Sequence, residues 1–324
     1  MSEQDQWDEM VHGGDAMRSA FAGWDKEASV RRKPMDYDCS TLSADDIRQK
    51  HWFLPSALPY FEHPSVKSLG MQASQTLQAH ALVYFMEYTA LLEHRVVNRC
   101  MELIAHDLLP VALPESTRQD AMLLYTDEGY HAFISAEVSR QVARLIGIVP
   151  DRRQHPRVQN LINHLNDVPE NFKALGSFLT TFVSETVITK EFLKFSNGTV
   201  VAPVSNVLKD HLDDERYHAR YFSRLFDYVW KGLNESDRNF CASFLPKMIF
   251  QFYRINVDWV SERLQEVGLS KDDALEISSL YGDSKAVVNR AKNGATSTMH
   301  AIKRAGVLSN PEHADHFKEV GLIN

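Results

Sequence analysis

The chain has 324 residues, 44% hydrophobic and 24% charged, with a formal net charge of −8 at pH 7. That is enough apolar material for a large core, and the acidic balance argues against nucleic acid or an anionic membrane as the main partner. Cys39, Cys100 and Cys241 form no CxxC pair, the opening MSEQDQWDEM is not a secretory signal, and no apolar run reaches the ~18–20 residues of a membrane helix, so a soluble cytoplasmic protein is expected.

Residues 1–69 are polar and then rich in proline and aromatics (Trp52, Phe53, Pro55, Pro59, Tyr60, Phe61). They are expected to form an N-terminal arm with short helices, packed on a single unit spanning 70–324, because no Gly/Ser/Pro-rich linker divides the chain. From Gly70 onward the pattern is helical, with almost no β-alternation. Long helices are predicted over about 72–107, 115–148, 170–195 and 205–230, with Gly232 as the stop of the fourth. Asn234 is placed as the N-cap of a fifth helix reaching about residue 267. Ser270 and Asp273 resemble a capping box opening a sixth. A last amphipathic stretch covers about 285–304. The predicted class is all-α: a ferritin-like four-helix bundle with additional flanking helices.

The second and fourth helices repeat one pattern, Asp127-Glu128-Gly129-Tyr130-His131 and Asp214-Glu215-Arg216-Tyr217-His218. On a helix, positions i and i+3 lie about 60° apart on one face, so a carboxylate and an imidazole converge on one ion. A third Glu-x-x-His pair, Glu9 and His12, sits in the polar arm before two glycines and has no long helix to carry it. Two facing helices of this kind hold two metals when each of the other helices adds a glutamate. Glu93 has Met86, Thr89, Ala90, Val96, Val97 and Cys100 at helical neighbour positions. Glu185 has Thr181, Phe182, Ile188, Thr189 and Phe192. Buried carboxylates without a cation would be strongly destabilising. Glu87 lines up instead with His94 and Asn98 on a polar stripe, Glu102 falls on the opposite side, and Glu191, with Lys194 near it, reads as a surface partner. His211 lies four residues before Glu215 and seven before His218, on the same sector, and is a seventh candidate. Mixed oxygen and nitrogen donors suit iron or manganese better than a closed zinc site. Asp127 and Asp214 are placed to accept an imidazole N–H, across the bundle, and so to fix the tautomer.

The set Glu93, Glu128, His131, Glu185, His211, Glu215 and His218 resembles the p-aminobenzoate N-oxygenase (AurF-like) non-haem di-iron family, in which the third histidine stands on the fourth helix. The resemblance covers roughly residues 70–230, and every position of the ligand pattern is present. It implies a centre of two iron ions that uses O2 to oxidise the amine nitrogen of a small molecule towards hydroxylamine, nitroso or nitro. The substrate would be an arylamine or an amino-acid-derived amine of secondary metabolism. It also implies a C-terminal arginine on a substrate carboxylate, a role for which Arg290 is preferred to Arg304. No flavin or iron–sulfur motif accompanies the set, so electrons are expected from an external donor or reductase. A homodimer is expected. The competing readings are a di-iron C–H hydroxylase or desaturase and an iron-handling protein without an organic substrate.

Tyr130 and Tyr217 stand about 200° from their glutamates and are read as packing residues rather than radical sites. The other histidines lack ligand spacing, and Phe250–Tyr253 with Trp259 reads as core or subunit contact. There is no Walker loop, GxGxxG or nucleophile elbow.

Overall fold

The computed structural model describes residues 19–32, 36–149, 155–192 and 199–324, apart from the side chains of 188–192. Among these residues the chain is helical, and its single β-bridge pairs His51 with Val200. The arm contributes short turns of helix, Trp24–Glu27, Ala44–Gln49 and Pro64–Lys67.

Helix α1 is Met71–Leu92, and α2, Asn98–Ala105, continues it through a π-helical turn, Glu93–Val97. Helix α3 is Glu115–Ile146, entered after Pro114 and ended by Gly147 at φ 79°, a conformation that favours glycine. Then come α4 (Pro156–Asn166), α5 (Lys173–Phe192) and α6 (Ala202–Gly232). Around the bundle run α7 (Glu235–Tyr253), α8 (Val257–Glu266), α9 (Lys271–Gly282), α10 (Ser284–Gly294), α11 (Thr296–Arg304) and α12 (Pro311–Glu319).

The bundle closes as a ring. Helix α1 packs on α3, α3 on α6, α6 on α5, and α5 returns to the π-turn and α2. Its interior has two apolar cores. One holds Leu92, Met101, Leu124, Phe178, Phe182, Phe222 and Phe226; the other holds Trp52, Leu82, Met86, Ile134, Val138 and Leu212. Along α3 the first core precedes the second, whereas along α1 and α6 the order is reversed, so neighbours around the ring run antiparallel. Helix α5 begins in the first core, so the segment after α3 crosses the length of the bundle, as ferritin-like connectivity requires. The two cores meet at a level where α3 and α6 carry their Asp-Glu-x-Tyr-His segments.

Several elements differ from the expectation. The first long helix is not uniform: the Asn98 amide donates to the Glu93 carbonyl, five residues back. The wide turn rotates the residues downstream of it, so Asn98 is buried rather than aligned with the half-exposed Glu87 and the exposed His94. The predicted fifth helix is two, because Arg254 leaves helical backbone and the Asn256 side chain accepts from the Trp259 amide at 3.2 Å, capping α8. The 285–304 stretch also divides, at Ala295, where Gly294 meets Tyr253 so closely that a Cβ would lie 2.3 Å from its ring. Helices α4 and α12 are additional to the predicted set, and each opens with proline at its first position. Asn234 and Ser270 do cap α7 and α9, each accepting from the amide three residues on. All three cysteines are buried and free.

Phe182 and Phe226 stack between α5 and α6 with centroids 4.3 Å apart and planes 10° from parallel, both buried. Phe226→Ala should lower the unfolding free energy by roughly 3–5 kcal/mol, read as a lower denaturant midpoint at unchanged slope.

Candidate metal centre

At the junction of the two cores lie seven titratable side chains, none more than 1% exposed: Glu93, Glu128, His131, Glu185, His211, Glu215 and His218. Glu93 opens the π-turn, Glu128 and His131 come from α3, Glu185 from α5, and His211, Glu215 and His218 from α6. Helical spacing does the local work, as one turn separates Glu128 from His131 and Glu215 from both His211 and His218.

Two groups of four have donor atoms all within 4.8 Å of one another: Glu93, His131, His211, Glu215, and Glu128, His131, Glu215, His218. The groups share His131 and Glu215, as adjacent sites would. His211 Nε2 is 3.0 Å from Glu93 Oε1 and 2.9 Å from Glu215 Oε1. His218 Nδ1 is 2.9 Å from Glu128, 3.5 Å from Glu215 and 3.6 Å from Glu185. His131 Nδ1 is 3.5 Å from Glu128 and 3.8 Å from Glu215. Glu185 belongs to neither group of four and joins the cluster through His218.

The contact of His211 with Glu215 is a hydrogen bond, whereas the approaches of Glu93, Glu128 and the two Nδ1 atoms lack hydrogen-bond alignment. Among the described residues neither carboxylate oxygen of Glu93 or Glu128 has a hydrogen-bond donor, nor is Nδ1 of His131 or His218 hydrogen-bonded. Most of these oxygens and ring nitrogens crowd together without bonding to one another, in an arrangement that could hold an ion between them. Buried polar atoms in this condition are rare and costly unless an ion completes them. The donor set therefore fits metal ions, with the carboxylate and imidazole chemistry of a di-iron centre.

Electrostatics agree. Burial lifts the Glu93 carboxyl to about 7 despite His211 beside it. Burial, and then the charges of Glu128 and Glu215, hold Glu185 well above the usual range. For Glu128 and Glu215 burial acts upward as well, but the neighbouring imidazoles, His218 foremost, outweigh it and depress both. For His131 and His218 burial acts downward, and the carboxylates around them prevail, raising both well above the ordinary imidazole value. A cluster whose imidazoles are driven toward the charged form in this way calls for positive charge, which metal ions would supply.

The other ring nitrogen of each Glu-x-x-His histidine crosses the bundle. His131 Nε2, on α3, is 3.0 Å from Asp214 on α6; His218 Nε2, on α6, is 3.3 Å from Asp127 on α3. An ionised carboxylate can only accept, so the Nε2 positions carry the protons and Nδ1 faces the glutamates. The arm supports both aspartates. The Trp24 indole N–H reaches both oxygens of Asp127 at 2.9 Å. The Ser29 amide donates to both oxygens of Asp214 at 3.1 Å, and its hydroxyl donates to Oδ2. Sequence reasoning missed Trp24 and Ser29, which stand 103 and 185 residues from the side chains they touch.

Tyr217 turns outward and donates to Glu27 at 2.7 Å, and Tyr130 packs against the second core; neither belongs to the clustered donors. His80, His51 and His313 pair with Glu266, Gln78 and Asn239, and His155 is buried against Tyr84. Glu102 is tied to Arg99. Glu9, His12, Glu191 and Lys194 lie outside the described side chains. Arg304 donates to the Ser223 carbonyl, and Arg290 donates from Nε and Nη2 to the Tyr253 carbonyl. Arg290 also lines a cavity of about 150 Å³ with Arg157, Arg254, Tyr60, Phe85 and Trp259, and none of the seven clustered donors borders it.

A family model described as P-aminobenzoate N-oxygenase AurF matches residues 15–306. The chain belongs to that family. The match runs well beyond the bundle expected from the ligand pattern, into the arm that supports Asp127 and Asp214 and into the helices after α6. AurF-type chains are oxygenases with a ferritin-like di-iron helical fold, and the buried His/Glu cluster fits such a centre. A search of curated proteins gives no match. Among the described residues no helix is long and apolar enough to cross a membrane.

Binding of ferrous iron should therefore stabilise the folded chain by about 2.7 kcal/mol at a hundredfold excess over Kd. Anaerobic thermal melts should show a rise in Tm that a chelator reverses and that His218→Ala largely removes.

Proposed function

We propose that this AurF-family chain is an O2-dependent N-oxygenase that converts the amine nitrogen of a small arylamine or amino-acid-derived amine to hydroxylamine and onward to nitroso or nitro, in secondary-metabolite biosynthesis. The observation that carries the reading is His211, a third buried imidazole touching Glu93 and Glu215, added to the four glutamates and two histidines that suffice for a carboxylate-bridged pair of metals.

In this reading Glu93, Glu128, His131, Glu185, His211, Glu215 and His218 hold two irons, whose chemistry when bound is the activation of O2. Asp127 and Asp214 keep the Nε2 protons of His218 and His131 in place, so that both rings present Nδ1. The apolar cores above and below exclude bulk water and strengthen every charge interaction between them. For the first oxidation, one oxygen atom of O2 is inserted as N–OH. The other leaves as water, with two electrons and two protons taken up. Those electrons come from a separate reductase or small-molecule donor. Residues 70–324 form the oxygenase unit and residues 1–69 its arm, in a soluble cytoplasmic homodimer; a sedimentation mass of one chain would exclude the dimer.

Arg290 is our choice for holding a substrate carboxylate. Its support is the family resemblance, together with an aromatic-walled cavity shared with Arg157 and Arg254 that none of the seven donors borders but whose guanidinium groups favour an acidic guest. Loss of a charge-assisted hydrogen bond of about 1.5–3 kcal/mol predicts that Arg290→Ala raises KM for an aminobenzoate roughly 10–100-fold with little change in kcat. An unchanged KM removes Arg290 from the reading.

The deciding experiment is mass spectrometry of products after ferrous-loaded protein reacts with 18O2 and a panel of aromatic and amino-acid-derived amines. The expected result is label on nitrogen, lost in His211→Ala. Label on carbon would replace the reading with a hydroxylase. Consumption of O2 without any labelled product across the panel would favour iron handling.

A further inference from the structure

The arm crosses the seam between α3 and α6 at the level of the clustered donors, and it does so in a regular way. Trp24 meets Asp127 on one side of the seam; five residues later Ser29 meets Asp214 on the other. Each aspartate faces the histidine of the opposite helix. The result is two parallel chains of contact, Trp24–Asp127–His218 and Ser29–Asp214–His131. Phe21 of the same segment lies over the His218 ring, with centroids 6.0 Å apart. Beneath the arm the gap bounded by Phe21, Trp24, Ala28, Asp127, Asp214 and Tyr217 is about 10 Å³, room for about one water. The arm thus keeps bulk solvent from both Asp–His pairs.

A carboxylate that accepts an imidazole N–H fixes the ring only if it is itself fixed. Asp127 and Asp214 each have rotatable χ1 and χ2 and are only 1% and 3% exposed, so their second hydrogen-bond partner decides their orientation. In both cases that partner is the arm. Resting on the reading of the buried cluster as a metal centre, we propose that Trp24 and Ser29 are positioning residues of that centre: each clamps the aspartate that orients one metal-facing histidine. The clamp is reciprocal by linkage, so metal binding also tightens the arm on the bundle.

A purely structural strap makes a different prediction, and the arm carries its own control. Tyr217 donates to Glu27 at 2.7 Å, fastening the same segment to α6 by a hydrogen bond that involves neither aspartate. Cobalt(II) is a suitable probe because its ligand-field absorption reports imidazole and carboxylate geometry independently of turnover.

Trp24→Phe keeps the aromatic packing and removes the indole N–H, and Ser29→Ala keeps the backbone bond and removes the hydroxyl. Each should weaken cobalt binding roughly three- to tenfold, below the 10–100-fold typical when the orienting partner itself is lost, and should shift the visible bands. Ser29→Thr should restore both. Tyr217→Phe should lower the Tm of the metal-free protein while leaving cobalt affinity and spectrum unchanged. In the unmodified chain, hydrogen exchange across residues 19–32 should slow when cobalt is added.

If the unmodified chain binds cobalt and both Trp24→Phe and Ser29→Ala match it in affinity and spectrum, the arm is packing and the clamp is overturned while the metal centre stands. If the unmodified chain binds no cobalt, the metal centre and the clamp fall together. Should Trp24→Phe not fold, the Ser29→Ala and Ser29→Thr pair decides the matter alone.

Discussion

Carrying Glu93, Glu128, Glu185 and Glu215 into one level of an apolar bundle is the constraint to which the surrounding structure answers. Carboxylates so placed lose their hydration, and imidazoles alone offset them incompletely. The helices therefore have to bring seven carboxylate and imidazole side chains together, to a tolerance that packing alone does not secure. The two apolar cores set the spacing of the helices above and below the centre. The cross-bundle contacts of His131 with Asp214 and of His218 with Asp127 tie α3 to α6 at the level of the donors themselves. The helices after α6 then cover α5 and α6, with α11 lying across both.

Much of the centre was legible in the sequence, because its donors follow a geometric rule that survives translation into one dimension. Glu128 and His131, or Glu215 and His218, are neighbours on a helix whatever else the chain does. Glu93 and Glu185 stand out because each is a carboxylate with apolar helical neighbours on one of the remaining helices. The cross-pairing of the aspartates could be framed from their places before the glutamates, although their distances could not. The features that the sequence did not reveal depend on contacts between distant segments. Nothing near Trp24 or Ser29 marks them, since a tryptophan and a serine in a polar arm have many uses. The π-turn has no side-chain signature, so the α-helical register used for Glu93 misplaced Asn98. The break at Arg254–Asn256 and the start of α12 at Asn310-Pro311 were open to a stricter use of capping rules.

Substrate recognition was less accessible by either route. Arg290 came from resemblance, and the structure places it beside Arg157, Arg254 and an aromatic cavity, with its guanidinium already donating to the Tyr253 carbonyl. A side chain that braces a main-chain turn and lines a cavity has two reasons to be arginine, and sequence pattern alone does not separate them. The same holds for Arg157, whose guanidinium lies 4.0 Å from the Tyr88 ring centroid while it also donates to the Phe252 carbonyl.

The wide turn at Glu93–Val97 has a consequence for how the chain tolerates change in length. In an uninterrupted α-helix each residue advances about 100°, so the faces of Met71–Leu92 and Asn98–Ala105 would be rigidly phased. The turn works as a phase shifter between them. Upstream, Met86 and Leu92 keep their places in the two cores with Glu93 at the seam; downstream, Cys100, Met101 and Ile104 face the first core. Shortening the segment by one residue would restore regular winding and force a choice: either the carboxylate swings out of the centre or the apolar residues after it swing out of the core. One extra residue lets a single helix satisfy a chemical demand and a packing demand whose phases do not match.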